Sequence, residues 1–209
     1  MSAPDAVSEL RRLGSATVYE AAGRQGLVDA SFVQVVPGSR VAGPARTVRC
    51  GQDDNLMVHA VMASIEPGDV VVLTMPEPRA VALVGELLAT QAIGRGAAAL
   101  VVDASIRDVE ELRELGLPIW ARWVRIRGAT KTLPGAIDEP VEVGSCVIEP
   151  GDAVVLDADG AAVVPRARID EVLEASRARA EKERVKRAKL EDGALSYDLD
   201  GLRPLVEGS

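Results

Sequence analysis

One segment of nine residues occurs twice in the chain. IEPGDVVVL at 65–73 recurs as IEPGDAVVL at 148–156. In each copy Pro-Gly is typical of a turn, an aspartate follows, and the β-branched run after it predicts a buried strand. Two copies without a fixed period or a third unit do not indicate a repeat protein. The duplication therefore predicts two strands that start in the same way within one sheet system.

Helical and strand patterns alternate around these two copies. The predicted strands lie at 39–50, 97–102 and 117–124, and the predicted helices at 53–65, 84–96 and 108–115. Residues 128–165 are rich in Gly, Pro and Val, which predicts loops and short antiparallel strands. No linker rich in Pro, Gly and Ser divides the chain. We therefore predict one α/β domain over residues 1–209, with a charged C-terminal helix at 165–191 that is either solvated or lies across a neighbouring subunit.

The composition excludes several kinds of partner. The chain has a net charge of −8 and only one Phe, two Trp and two Tyr. Such a chain repels a phosphate backbone and offers few stacking platforms, so we expect no nucleic-acid partner. The two cysteines, Cys50 and Cys146, are far apart, which is typical of buried thiols in a reducing compartment. Without a signal-peptide pattern or a long apolar run, we expect a cytoplasmic protein that does not contact a membrane.

Charged residues follow the predicted strand at 97–102. In LVVDASIRDVEEL the apolar run breaks at Asp103, and Arg107 and Asp108 come before an acidic helix. Ligands of open α/β sheets bind at the carboxyl ends of strands, where an arginine can pair with a carboxylate and an aspartate with Mg²⁺. The alternative is that Asp108 only caps the helix at 108–115 and that Arg107 is its surface companion. These residues alone favour that alternative.

The segment GELLAT predicts a second polar site, at the start of a helix. A helix that begins at Gly85 leaves the backbone N–H groups of Glu86, Leu87 and Leu88 unpaired, which is a favourable place for an anion. The alternative is an ordinary helix whose first turn carries a glutamate, as the helix dipole favours. If both strand ends face one cleft, the set suits a small 2-oxo acid bound with Mg²⁺.

Other chemistry finds little support in the residues. His59 is the only histidine, and its helical spacing is more typical of a packed or capping side chain than of a catalytic one. GRGAAA precedes a strand instead of following one, and it lacks the third glycine of a dinucleotide-binding loop.

Several segments, taken in order, resemble the RraA-like family. They are GPARTV, DNLMVHAVMASIEPGDVVV, GELLAT, GRGAAALVVDASIRDVEEL, LPIWAR and IEPGDAVVLDADGAAVVP. This family comprises 4-hydroxy-4-methyl-2-oxoglutarate / 4-carboxy-4-hydroxy-2-oxoadipate aldolases and regulators of ribonuclease E activity. The resemblance implies a swivelling-type β/β/α domain, a homotrimer or dimer of trimers with sites between subunits, and Mg²⁺ or Mn²⁺ as cofactor.

The resemblance also implies a metal site. Aldolases of the family carry an acidic residue, a gap of twenty residues and then Arg-Asp, a spacing that Glu86 and Arg107-Asp108 match here. Asp108 would bind the metal directly, and Glu86 would hold metal-bound water. Glu183 resembles a C-terminal acidic residue that reaches a neighbouring subunit's site, again through water. Glu111 stands at a further acidic position that some members show.

The substrate-binding residues follow from the same resemblance. Arg107 would contact the 2-oxo end of the substrate, and the amides of Leu87 and Leu88, beside Gly85 and Glu86, would take the pyruvyl carboxylate.

The chain departs from the family pattern at some positions. The aldolase pattern has Asp where this chain has Glu86, and it has Gly where this chain has Ala104. Trp123 and Arg125 stand where the family is often smaller, so we expect a reshaped acceptor end.

The predicted function is a class II aldolase. It would cleave a 4-hydroxy-2-oxo acid to pyruvate and decarboxylate oxaloacetate as a side activity, with a water as the base because no histidine is expected in the site. The alternative is a non-catalytic trimeric protein that binds and regulates a ribonuclease.

Overall fold

The computed structural model describes residues 3–208, whose strands form one nine-stranded mixed sheet and a separate two-stranded hairpin. The strands are β1 (Val33–Gln34), β2 (Val41–Arg49), β3 (Val70–Thr74), β4 (Ala82–Val84), β5 (Ala99–Ile106), β6 (Ile119–Val124), β7 (Ala136–Ile137), β8 (Val141–Val143), β9 (Cys146–Ile148), β10 (Ala153–Leu156) and β11 (Ala161–Val164). The helices are α1 (Ala3–Leu13), α2 (Ser15–Ala21), α3 (Leu56–Val61), α4 (Glu86–Gly94), α5 (Val109–Leu115), α6 (Ile169–Glu191), α7 (Ser196–Leu199) and α8 (Arg203–Glu207), with a 3-10 turn at Arg166–Arg168.

The centre of the large sheet is parallel and its ends are antiparallel. The strand order is β1-β6-β5-β3-β2-β10-β11, in which β2, β3, β5 and β6 run parallel. The segments that join β2 to β3, β3 to β5 and β5 to β6 contain α3, α4 and α5 respectively, because a parallel connection needs a crossover. The antiparallel strands β10 and β11 need only a short turn. The predicted α/β class is thus confirmed.

The duplicated segment forms the same turn twice, on either side of β2. The carboxylate of Asp69 accepts a hydrogen bond from the backbone N–H of Glu66 at 2.9 Å, and that of Asp152 accepts one from Glu149 at 3.0 Å. The glycine before each aspartate has a positive φ, of 97° and 85°. The strands that follow, β3 and β10, both pair with β2, one parallel and one antiparallel. The prediction of two similar strand starts in one sheet system is confirmed.

The two faces of the central strands pack against different layers. Leu100, Val102 and Ile106 of β5 face a core that they share with α3, α4 and α5. Ala99 and Val101 face a second core, which they share with the hairpin of β8 and β9. This alternation with a period of two is what a strand buried on both faces requires.

The predicted end of the third strand was wrong. β5 continues to Ile106 instead of ending at 102, so Asp103 lies inside the strand and is only 2% exposed. Its carboxylate is paired with Arg122 of β6, and its burial raises its pKa. A charge inside a strand breaks the apolar pattern, and its partner lies far along the chain, so the sequence suggested a loop. We had expected Asp103 at the end of the strand, but it lies inside the strand.

The C-terminal helix is anchored on its own chain at its first turns. The predicted helix at 165–191 is a 3-10 turn followed by α6, whose Val172 and Leu173 are buried in a third core with α1, α2, β10 and β11. Arg177 extends this contact through an ion pair with Glu9 of α1. Beyond these turns α6 is mostly exposed, and its contact with a neighbouring subunit stays a prediction. Among the helices between residues 3 and 208, none is both long enough and apolar enough to span a bilayer.

Candidate functional site

A cleft lies where β4 and β5 end. The two strands pair in parallel, Ala82 with Ser105 and Val84 with Ile106, so α4 and α5 begin at the same edge of the sheet. A cavity of about 270 Å³ lies at this edge and is lined by Gly85, Leu87, Leu88, Arg107 and Asp108 among others. The expectation that both strand ends face one cleft is confirmed.

Asp108 has an unusual backbone conformation and does not cap α5. Its φ of 62° and ψ of 47° are left-handed, and its side chain makes no capping hydrogen bond. Instead, Oδ2 accepts a hydrogen bond of 3.1 Å from the backbone N–H of Glu86 at the start of α4. The capping alternative is therefore wrong. Within residues 3–208, Oδ1 has no hydrogen-bond partner, and the side chain is 40% exposed.

Two glycines make room for Arg107 and Asp108. A Cβ at Gly85 would lie 2.4 Å from Asp108 Oδ2 and 3.2 Å from Arg107 Nε, and a Cβ at Gly128 would lie 3.0 Å from Arg107 Nη1. Because Gly85 has an extended backbone with a φ of −134°, its conformation does not require glycine. What requires glycine is the close approach of the carboxylate. Arg107 Nε lies 3.7 Å from Asp108 Oδ2, so the two charges lie together over Gly85.

The start of α4 presents backbone N–H groups to the cavity. The first bond to the helix's own carbonyls runs from Ala89 N to Gly85 O at 3.1 Å. The N–H groups of Glu86, Leu87 and Leu88 come before that bond and have no partner within the helix. That of Glu86 binds Asp108, which leaves those of Leu87 and Leu88 for an anion.

The carboxylate of Glu86 points along its own helix. Its Oε1 accepts a hydrogen bond of 3.2 Å from Thr90 Oγ1, and Glu86 is not among the described residues that line the cavity. Its side chain must therefore leave Thr90 to reach a ligand beside Asp108.

Three polar residues that the sequence did not indicate, Asn55, His59 and Lys131, also line this cavity. Asn55 is 8% exposed and donates to Leu83 O at 3.0 Å, while its Oδ1 is buried without a partner in the described chain. We had expected His59 to be a packed or capping side chain, but it is exposed and lines the cavity. Partial burial, and then the charge of the nearby Lys131, lower the pKa of His59. Both effects favour the neutral form of the imidazole.

Lys131 reaches the cavity because Asp54 holds its loop. The buried carboxylate of Asp54 accepts hydrogen bonds from Thr130 Oγ1 at 2.6 Å, from Thr132 N at 2.6 Å and from Leu133 N at 3.1 Å. Burial alone would raise the pKa of Asp54, but these bonds and one from the N–H of Leu56 hold it well below its usual range. The loop is thus fixed by contacts between residues more than seventy positions apart, which a local sequence pattern does not reveal.

The remaining predicted residues lie outside this cavity. Glu183 is on α6, where it is paired with Arg179 at 2.9 Å, and neither it nor Glu111 is among the described residues that line the cavity. Arg125 lines an adjoining open groove of about 550 Å³, which also includes Arg107 and Asp108. Trp123 is among the lining residues of neither this groove nor the cavity, and the reshaped acceptor end stays a prediction.

The donor set fits Mg²⁺ or Mn²⁺. In residues 3–208 there is no cluster of three His, Cys, Asp or Glu side chains that could hold a metal ion. Mg²⁺ does not require one, because it keeps several waters and is often bound through one or two carboxylates and the substrate. The exposed Asp108, with Oδ1 unpaired, suits such an ion, whereas a structural zinc site needs more protein ligands.

Comparison with known proteins places this site in context. The family model described as RraA-like (Aldolase/RraA) matches residues 15–163. A protein of Halalkalibacterium halodurans, named as a candidate 4-hydroxy-4-methyl-2-oxoglutarate aldolase, is 29% identical over 192 residues, which cover 92% of this chain and 91% of that protein.

Two solved structures share the fold. An uncharacterised protein of Pseudomonas syringae pv. tomato superposes with a TM-score of 0.83 at 23% identity, covering 93% of this chain and 92% of that one. RraAS2 of Streptomyces coelicolor, an unusual member of the RNase ES inhibitor RraA protein family, superposes with a TM-score of 0.79 at 31% identity, covering 88% and 98%. These likenesses confirm the predicted swivelling-type α/β fold with its C-terminal helix.

Proposed function

Because the chain belongs to the RraA-like family, we propose that it is a divalent-metal-dependent lyase that cleaves a 4-hydroxy-2-oxo acid to pyruvate. The observation that carries the proposal is the convergence of Asp108, Arg107 and the start of α4 on one cavity. The name of the Halalkalibacterium relative suggests 4-hydroxy-4-methyl-2-oxoglutarate as the substrate to test first.

The pyruvyl end of the substrate would bind at α4. Its carboxylate would accept hydrogen bonds from the N–H groups of Leu87 and Leu88, where the helix dipole also favours an anion. The bare backbone of Gly85 lets Arg107 and Asp108 lie close to the start of α4, so the 2-oxo group bound there would lie beside both side chains. The guanidinium of Arg107 would then stabilise the negative charge that develops on the 2-oxo oxygen as the bond breaks.

Asp108 would hold the metal ion. A Mg²⁺ or Mn²⁺ ion bound there would supply positive charge next to the 2-oxo acid, which lowers the cost of forming an enolate. Glu86 and Glu183, the latter from a neighbouring subunit, would act on this ion through water. Because Glu183 lies outside its own chain's cavity, such a role requires a neighbouring subunit, which a homotrimer or a dimer of trimers would supply.

The bond between C3 and C4 breaks as the 4-hydroxyl group loses its proton. The electron pair of this bond moves into the pyruvyl half, which later takes a proton at C3 to become pyruvate. We propose that a water in the cavity takes the hydroxyl proton, beside His59, whose neutral form can accept a hydrogen bond. The same pyruvyl half would arise from oxaloacetate by loss of CO₂, which we propose as a side activity.

The test is pyruvate release from 4-hydroxy-4-methyl-2-oxoglutarate and from oxaloacetate, with Mg²⁺ and with EDTA. Asp108→Asn is the best variant, since asparagine tolerates the left-handed conformation and keeps the shape while it removes the charge. We expect metal-dependent release that this variant abolishes. Release from oxaloacetate alone would keep the metal site and require another substrate. No release from either acid by a folded protein that binds no Mg²⁺ would refute the lyase proposal.

A ribonuclease regulator is the second candidate function. It is favoured by the 31% identity of this chain to RraAS2 of Streptomyces coelicolor, a member of a family of RNase ES inhibitors, and the net charge of −8 would suit a basic partner. In that case Asp108→Asn would leave inhibition of a ribonuclease unchanged.

The proposed oligomer is tested by two measurements. Light scattering gives the number of subunits, and Glu183→Gln tests whether a neighbouring subunit contributes to the site. Loss of lyase activity by this variant in a trimer that stays intact would support the shared site.

A further inference from the structure

A second cavity lies at the opposite end of the sheet from Asp108. It has a volume of about 460 Å³ and lies between α1, β2 and the two turns that come before β3 and β10. Those turns stand at the starts of their strands, whereas the candidate site lies beyond the ends of β4 and β5. This volume exceeds the 270 Å³ of the cavity at Asp108 and falls within the usual range for small-molecule pockets.

The walls of this cavity are apolar and its floor is bare backbone. Val7, Ala42, Pro44, Pro67 and Ile169 contribute to the walls. The floor includes Gly43, where a Cβ would lie 2.3 Å from the carbonyl oxygen of Gly68. β2 and the turn before β3 therefore approach more closely than a side chain at Gly43 would allow.

Two arginines are the charged residues at this cavity. Arg11 of α1 and Arg166 both line it, and no acidic side chain of the described chain does. Neither guanidinium has an ion pair or a hydrogen bond with the side chains that the structure describes, those of residues 6–208, although most arginines there do. In a protein with a net charge of −8, two cations that face one apolar cavity without a counter-ion form a site of complementary charge for an anion.

The position of Arg166 is fixed by the second of the duplicated turns. Its backbone N–H donates to Asp152 Oδ1 at 2.9 Å, and its side chain passes over Gly151, where a Cβ would lie 3.6 Å from Cδ. The other oxygen of Asp152 accepts from Glu149, and Asp69 of the first turn is paired with Arg46. Both nearby aspartates are held by these contacts, and neither forms an ion pair with the guanidinium of Arg166.

We propose that this cavity binds a small molecule with an aliphatic body and one carboxylate, of the size of a medium-chain monocarboxylic acid. The aliphatic part would replace water on the apolar walls, and the carboxylate would take hydrogen bonds from the guanidinium groups of Arg11 and Arg166, whose planar donors match it. Aromatic walls for a nucleobase are absent among the described residues that line it. The site is independent of the proposed lyase activity.

The test is calorimetric titration of the whole protein with octanoate and, separately, with octanol. We expect octanoate to bind saturably, and Arg11→Gln or Arg166→Gln to weaken it by about tenfold or more. Octanol, which lacks the charge, should bind more weakly to the wild type. Arg12→Gln is the matched control, because Arg12 is also exposed on α1 but is paired with Glu9 and does not line the cavity.

Three results would overturn the proposal. The first is no saturable binding of octanoate to the folded wild type. The second is equal binding by the Arg166→Gln and Arg12→Gln variants, which would show that the arginines only cover apolar surface with their stems. The third is self-association of the wild type that octanoate does not change and that Arg11→Gln or Arg166→Gln abolishes. This result would mean that a second copy of the chain fills the cavity. Circular dichroism of each variant checks that it is folded.

Discussion

Gly85→Ala tests the geometry of the candidate site with a single methyl group. The φ of −134° at this position suits any residue, so alanine adds no backbone strain. The new Cβ would, however, lie 2.4 Å from Asp108 Oδ2, where ordinary contact begins at 3.4 Å. The carboxylate must therefore move by about 1 Å, away from the N–H of Glu86 and from its place beside Arg107.

The expected effect is large on activity and small on stability. A displacement of about 1 Å in a catalytic site can reduce the rate by about a hundredfold, which corresponds to about 2.7 kcal/mol. The free energy of unfolding should change by less than about 1 kcal/mol, because the lost hydrogen bond is partly exposed and alanine reduces the entropy of the unfolded chain. Pyruvate release under Mg²⁺ and urea unfolding measure the two effects.

Gly94→Ala is the matched control for this variant. Gly94 is the last residue of the same helix, has no positive φ, and a Cβ there would meet no atom within 4 Å. The control should keep its activity and gain up to about 1 kcal/mol of stability. If Gly85→Ala keeps more than about a tenth of the activity, or if Gly94→Ala loses as much, the close approach of Asp108 to Gly85 does not support the chemistry.

Three further variants test the surroundings of the site. Lys131→Met should raise the pKa of His59 toward 6.5, its ordinary value, while the control Lys182→Met should leave that pKa unchanged. NMR titration of the only histidine in the sequence measures both, and equal shifts in the two variants would show that Lys131 does not act on His59. Asp54→Asn should cost about 3 kcal/mol of stability near pH 7 in urea unfolding, because an amide cannot accept all the hydrogen bonds. The pKa of Asp54 is lower in the folded chain than its ordinary 3.8. The extra stability of the wild type over Asp54→Asn should therefore be present above pH 3.8 and be lost as the pH falls below it. A stability difference that does not change with pH would show that the charge of Asp54 does not cause it. Asp108→Gly and Asp108→Ala should both lose pyruvate release. The glycine variant should be more stable than the alanine variant by about 1 kcal/mol, because glycine adopts a φ of 62° without strain and alanine does not. Equal unfolding curves would mean that the backbone at this position changes conformation in the alanine variant.

Local signals in the sequence predicted much of the sheet and part of the site. The duplicated turns were visible because each is made within four consecutive residues, Glu66–Asp69 and Glu149–Asp152. Gly85 was visible as the start of a helix for the same reason. These features depend on neighbours in the chain, which a pattern can show.

Features that depend on distant partners were missed. Asp103 was expected in a loop because its partner Arg122 lies on the next strand of the sheet. Lys131 was not expected in the site, because its loop is held by Asp54, 76 positions before Thr130. His59 was expected to be packed, since helical spacing does not show which face a neighbouring loop leaves open.

Asp108 links the local and the distant parts of the site. A left-handed conformation costs an ordinary residue about 1–2 kcal/mol, and aspartate bears it better than most. Side-chain capping of α5 does not compensate for this cost, since the carboxylate is turned away from that helix toward α4. Strain of this kind is retained at functional sites when the surrounding structure holds it in place. Here Gly85 leaves the space and the N–H of Glu86 binds one oxygen, so the left-handed conformation holds the carboxylate beside the cleft, as the proposed metal site would require.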